Sequence, residues 1–100
     1  MVKHIILWNL KDELTVEEKA EIKKGIKEGL EGLLGVVPGL LEIKVQTEAL
    51  SSSNADVMLY SVFESEAALH GYATHPEHVK VADTKVRPFT ETRSCMDFIQ

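Results

Sequence analysis

The chain reads as an α+β protein with the element order strand, helix, strand, strand, helix pair, strand. Three observations predict it. Alternating apolar positions mark Val2–Leu10, Leu40–Glu48, Asp56–Phe63 and Phe89–Ile99 as strands. A stripe at spacings of three and four residues, Ile22, Ile26, Leu30, Leu33 and Val37, marks a long helix after the first strand. Ser65 and Pro76 then open two short helices before the last strand. One hundred residues correspond to one domain, residues 1–100.

In the first strand Val2, His4, Ile6, Trp8 and Leu10 share one face, and Lys3, Ile5, Leu7 and Asn9 share the other. Both faces carry large apolar groups, so both are expected to be covered. Thr15 and Glu18 form a capping box ahead of the long helix, whose outer side holds Glu17, Glu21, Lys24, Lys27, Glu28 and Glu31. Gly25, Gly29 and Gly32 interrupt it, either weakening the helix or permitting close packing; Gly35 and Pro38-Gly39 are expected to end it.

The second strand sets Leu41, Ile43, Val45 and Thr47 against Glu42, Lys44, Gln46 and Glu48, which predicts a wet face and an edge position. After the polar connection Leu50–Asn54, the third strand is apolar on both sides and reads as central, with Val57, Leu59 and Phe63 opposite Met58, Tyr60 and Val62. Pro76 disfavours helix at His75, so the first short helix is expected to stop near Ala73 or Thr74. His75 then falls at the N-cap of the next helix and His78 in its first turn. That helix should bury Val79, Ala82 and Val86 and stop at Arg87-Pro88.

This order is βαββαβ, the ferredoxin-like split arrangement: a four-stranded antiparallel sheet with helices on one face. The helices cover one side of strands that are apolar on two. The helix-free face is therefore expected to meet its copy in a two-fold homodimer.

Composition narrows the function. The formal net charge is −5 with no basic run, which argues against a nucleic-acid partner. No apolar segment approaches the roughly 20 residues of a membrane span. The N-terminal stretch lacks a signal-peptide cleavage pattern, and Cys95 is the lone cysteine, so a reducing cytoplasm fits best. Cys95 has no visible base beside it and is not expected to act as a nucleophile. No specific metal site or other cofactor is expected: His75 and His78 lie three apart without a cysteine or carboxylate to complete a set.

The stretch F-E-S-E-A-A-L-H-G-Y-A-T-H-P-E-H, Phe63 to His78, concentrates Tyr72, His75 and His78 in a chain with only two tyrosines and four histidines. With K-H-I-I-L-W in the first strand and V-P-G-L after the first helix, it resembles the stress-responsive A/B barrel (Dabb) domain family, a branch of the dimeric α+β barrel superfamily. The resemblance covers essentially the whole chain and includes an acidic residue near the end of the last strand, here Asp97. It implies a ferredoxin-like subunit whose sheet pairs with a second copy to form a barrel. Many members have no assigned activity. Some plant members cyclise polyketides by aldol chemistry, and their catalytic His and Tyr match His78 and Tyr72, while a first-strand His matches His4. By that resemblance His78 would take a proton from carbon beside a carbonyl, and Tyr72 would orient it or hydrogen-bond the developing enolate oxygen.

The expected function is thus a small cytoplasmic homodimer with a small-molecule pocket between sheet and helices, near His4, Tyr72 and His78. A hydrophobic carbonyl or phenolic compound is the expected ligand. Trp8 and Ile26, on faces that would line a cavity, join His4 and His75 as candidate substrate contacts. One alternative is a cofactor-independent, cyclase-like lyase using His78 and Tyr72; another is a non-catalytic dimer whose core fills the pocket. In the last reading Tyr72 and His78 only bond backbone or cap the helix junction, and His75 is only an N-cap. His4 points into an apolar layer and needs a partner, for which His78 is the candidate. A cavity of roughly 300 Å³ reaching His78 favours a ligand site; a packed interior favours the structural one.

Overall fold

A computed structural model describes every residue from Met1 to Gln100. The strands β1 (Val2–Leu10), β2 (Leu40–Gln46), β3 (Val57–Phe63) and β4 (Thr90–Ile99) form one antiparallel sheet in the order β2-β3-β1-β4. Helices α1 (Val16–Glu31), α2 (Glu66–Thr74) and α3 (Pro76–Val81) fill the connections, which makes the fold ferredoxin-like. β1 and β3 are central and β2 is an edge, as their faces predict.

The capping box forms as read: Glu18 N–H donates to Thr15 Oγ1 at 3.1 Å and Thr15 N–H to Glu18 Oε1 at 2.8 Å. Helix α1 ends earlier than its stripe predicts, at Glu31. Beyond it the backbone tightens into successive turns, with Leu33 N–H on Leu30 C=O and Val36 N–H on Leu33 C=O. These turns still deliver Leu33 and Val37 to the core, because a three-residue turn keeps them on the inner side. Gly29 lets α1 approach α3: a Cβ there would sit 2.8 Å from Val81 Cγ1. Gly39 has a φ of +80°, and a Cβ would lie 2.5 Å from Ala68 Cβ, so the Pro38-Gly39 turn tucks under α2.

Strand β2 departs from its simple alternation. A bulge between Leu40 and Glu42 turns Leu40 inward and Leu41 out to solvent, while Ile43 and Val45 stay buried. Asp56 precedes β3 rather than opening it; its carboxylate accepts the Leu10 N–H at 2.8 Å. The expected third helix is also shorter. It passes at Val81 into a π-type turn, Ala82–Val86, and a 3₁₀ turn, Arg87–Phe89.

The helix-facing core joins Val2, Ile6, Trp8 and Leu10 of β1 to Val57, Leu59 and Phe63 of β3 and to Ile26 and Leu30 of α1. On the other sheet face Ile5, Leu7, Met58, Tyr60, Met96 and Phe98 come together, paired across strands as Ile5 with Tyr60 and Met96, Leu7 with Met58, and Lys3 with Phe98. No helix covers them. Strand β4 is exposed on both faces, so the helix layer shields less of the sheet than the element order implies. No helix is long and apolar enough to cross a membrane.

Candidate functional site

The site lies between the helix-facing side of β1 and β4 and the α2–α3 segment. Ser65 caps α2, its hydroxyl accepting the Ala68 N–H at 3.1 Å, and this sets the helix so that Tyr72 points inward. The chain must leave the helix at His75, which precedes proline and takes an extended conformation. His75 Nδ1 accepts the Glu77 N–H at 3.1 Å and starts α3, in the capping role its position predicts. One turn on, His78 folds back over Tyr72, their ring centroids 4.1 Å apart. Tyr72 also meets the edge of His4 at 6.0 Å and the Phe63 ring at 5.0 Å.

A cavity of about 130 Å³ opens beside this cluster. His4, Trp8, Tyr72 and His78 line it, with Ala82 and Val86 of the π-type turn and the two arginines Arg87 and Arg93. The wide turn is what brings Ala82, Val86 and Arg87 to its wall. No carboxylate lines it, although Asp83 pairs with Arg87 and Asp97 with His4 just behind the wall. Ile26 and His75 do not reach it: Ile26 is sealed in the core, and His75 is spent on the helix cap. The cavity reaches His78 but is less than half the roughly 300 Å³ at the lower end for drug-sized ligands.

The protonation pattern follows from the partners. The Ala73 carbonyl, 3.2 Å from His78 Nδ1, can only accept, so Nδ1 carries the hydrogen and the Nε2 lone pair is free. Burial holds the imidazole below its ordinary value of 6.5; the Ala73 bond opposes this, and the positive charges of Arg87, His4 and Arg93 add to it. His78 is therefore a neutral base near neutral pH. The Tyr72 hydroxyl is buried without a hydrogen-bond partner. Burial pushes the phenol well above its ordinary range, so it is a proton donor to hydrogen bonds and not a source of phenolate.

The partner of His4 is not His78. It is Asp97, directly opposite on β4, whose carboxylate bonds His4 Nδ1. Nor is Cys95 isolated: its Sγ lies 3.6 Å from Asp97 Oδ1 and 4.0 Å from His4 Nδ1. Arg93, Cys95 and Asp97 alternate onto the helix-facing side of β4. Their parity is readable from the sequence, but their alignment with His4 depends on a β1–β4 register that no local pattern encodes.

The model of the stress responsive A/B barrel domain family matches residues 2–100. Olivetolic acid cyclase from Cannabis sativa is 28% identical over 100 residues, covering 97% of this chain and 94% of that protein. A dimeric protein of unknown function and ferredoxin-like fold from Bacteroides fragilis superposes with a TM-score of 0.91 at 34% identity, covering 97% of this chain and 93% of that one. Hydroxynitrile lyase from Passiflora edulis shares the fold alone, with a TM-score of 0.74 at 19% identity and coverage of 99% and 92%. A site built on the Tyr72-to-His78 segment, a ferredoxin-like sheet with one bare face, and a family match from the second residue to the last agree: the chain belongs to the stress responsive A/B barrel domain family.

Proposed function

We propose that the protein is a cytoplasmic homodimer, one domain per chain, that binds a small carbonyl compound in the cavity and moves a proton on it. His78 Nε2 accepts the proton from carbon beside the carbonyl. Tyr72 donates its hydroxyl hydrogen bond to the oxygen on which negative charge develops. The observation that carries this reading is the Tyr72 hydroxyl. A buried hydroxyl left without a partner costs about 1–3 kcal/mol, and a ligand oxygen in the adjoining cavity removes that cost.

The volume supports a compact ligand rather than an extended polyketide, which needs α2 and α3 to move apart. Cyclase chemistry is the second reading, favoured by the likeness to olivetolic acid cyclase, and it uses the same pair of side chains. Dimerisation through the helix-free face accounts for the exposed Leu7, Met96 and Phe98, and the Bacteroides fragilis relative is itself dimeric.

The test is deuterium exchange. Small ketones and phenolic ketones are incubated with the protein in D₂O, and labelling of the carbon beside the carbonyl is followed by NMR. Wild type is expected to accelerate it and His78→Ala not to. Equal labelling by both, in folded protein, removes the proposal.

A further inference from the structure

We propose that His4 Nδ1, Cys95 Sγ and an Asp97 carboxylate oxygen form a binding site for a borderline-soft divalent cation of the zinc class, where β1 pairs with β4. The three ligand atoms lie within 4.8 Å of one another. Pairing places them there. His4 stands opposite Asp97, Ile6 opposite Cys95, and the two β4 residues share a face because they are two apart.

The distances suit one ion. Zinc–sulfur bonds of about 2.3 Å and zinc–nitrogen or zinc–oxygen bonds of about 2.0 Å set tetrahedral ligand atoms about 3.3–3.6 Å apart. Cys95 Sγ to Asp97 Oδ1, at 3.6 Å, already has that separation, and Sγ to His4 Nδ1, at 4.0 Å, is slightly long. Only the directly bonded His4–Asp97 pair must open. Asp97 can do this, since its side chain is 42% exposed, while the buried His4 stays fixed in the sheet. A thiolate, an imidazole and a carboxylate select zinc, cobalt or nickel over magnesium or calcium, which take oxygen ligands. Three protein ligands leave a fourth position for water.

The balance is simple. The Cys95 thiol loses its proton to solvent as the sulfur–metal bond forms. The hydrogen that His4 Nδ1 donates to Asp97 leaves as well, released to solvent from an imidazolium or moved to Nε2 in a neutral ring, so that Nδ1 presents its lone pair. Thiolate and carboxylate together neutralise the ion. The site does not depend on any ligand in the cavity.

The experiment titrates metal-free protein, kept reduced with a phosphine, with Co²⁺ and then Zn²⁺. One ion per chain and a thiolate-to-cobalt charge-transfer band that Zn²⁺ displaces are expected. Cys95→Ser and Asp97→Asn, both at exposed strand positions, should weaken binding about tenfold or more with unchanged circular dichroism. Alkylating Cys95 in wild type should abolish the band without any substitution, and His75→Ala should leave it unaltered. Absence of saturable binding in wild type, or binding that survives both Cys95→Ser and alkylation, overturns the site.

Discussion

The rings of Tyr72 and His78 lie 4.1 Å apart between centroids and 35° from parallel, yet the Tyr72 hydroxyl bonds to neither His78 nor any other protein group. Stacking positions the phenol, and nothing in the chain satisfies it. Such a group is a cost to stability that function must justify. Tyr72→Phe keeps the ring contacts and removes the orphaned oxygen, so it should leave stability unchanged or raise it by about 1 kcal/mol. Turnover of any carbonyl substrate should fall roughly a hundredfold or more, as when one donor to a developing oxyanion is lost. Calorimetry and kinetics on the same preparation check the pair of outcomes. A destabilised Tyr72→Phe would mean the hydroxyl has a partner.

The lowered His78 pKa makes a statement about stability. Above the ordinary value of 6.5 the side chain is neutral in both folded and unfolded chains and contributes nothing. As pH falls below it, the unfolded chain takes the proton first, because burial disfavours imidazolium in the folded one. Stability should therefore decline through that window, and His78→Gln should flatten the decline. Urea denaturation at fixed protein concentration, from about pH 8 to pH 5, measures both curves. Parallel curves would show that His78 titrates as it does in water.

Leu7 and Leu59 are both apolar strand residues, but they sit on opposite faces of the sheet. Leu59 is 2% exposed in the helix-covered core, and Leu7 is 39% exposed on the bare face. Leu7→Asp should give a folded monomer by light scattering, whereas Leu59→Asp should fail to fold, since it buries an unpaired charge. A Leu7→Asp protein that stays dimeric would locate the interface elsewhere.

Much of this was legible because local rules and global packing agree. Thr15 and Glu18 make the capping box their spacing promises, and the odd and even positions of β1 face the layers their side chains predict. The structure departs from the local pattern where tertiary packing overrides it. Leu41 alternates correctly with Ile43, but the bulge beside it turns Leu40 inward instead. Leu33 and Val37 continue the helical stripe, and they reach the core through turns that the stripe cannot distinguish from helix. His4, Tyr72 and His78 do converge on one cavity. The Asp97 and Cys95 neighbours of His4 lie more than ninety residues away in the chain, so only strand register joins them.

Glu31 ends α1 where the helix dipole disfavours an acid, and β2 explains its presence. Its carboxylate accepts the Val45 N–H at 2.9 Å and the Lys27 ammonium at 2.9 Å, while Lys27 donates to the Val45 carbonyl at 3.0 Å. Two side chains of one helix thus occupy the backbone groups that edge strand β2 would otherwise offer to another chain. Burial alone would raise the Glu31 pKa, but the Lys27 and Val45 hydrogen bonds and the charges of Lys27 and Lys44 together outweigh it and hold the carboxyl below its ordinary 4.5. The contribution is therefore complete above that value and is lost as pH falls through the lowered one. Glu31→Gln keeps the shape but weakens both bonds, and at this part-exposed site it should cost about 1 kcal/mol. Glu31→Ala leaves the Val45 N–H open, so it should also raise the tendency to associate edge to edge on warming. Chemical denaturation at neutral pH and light scattering during a thermal ramp test the two effects separately. If both variants match wild type in both measurements, water satisfies the Val45 edge as well as Glu31 does.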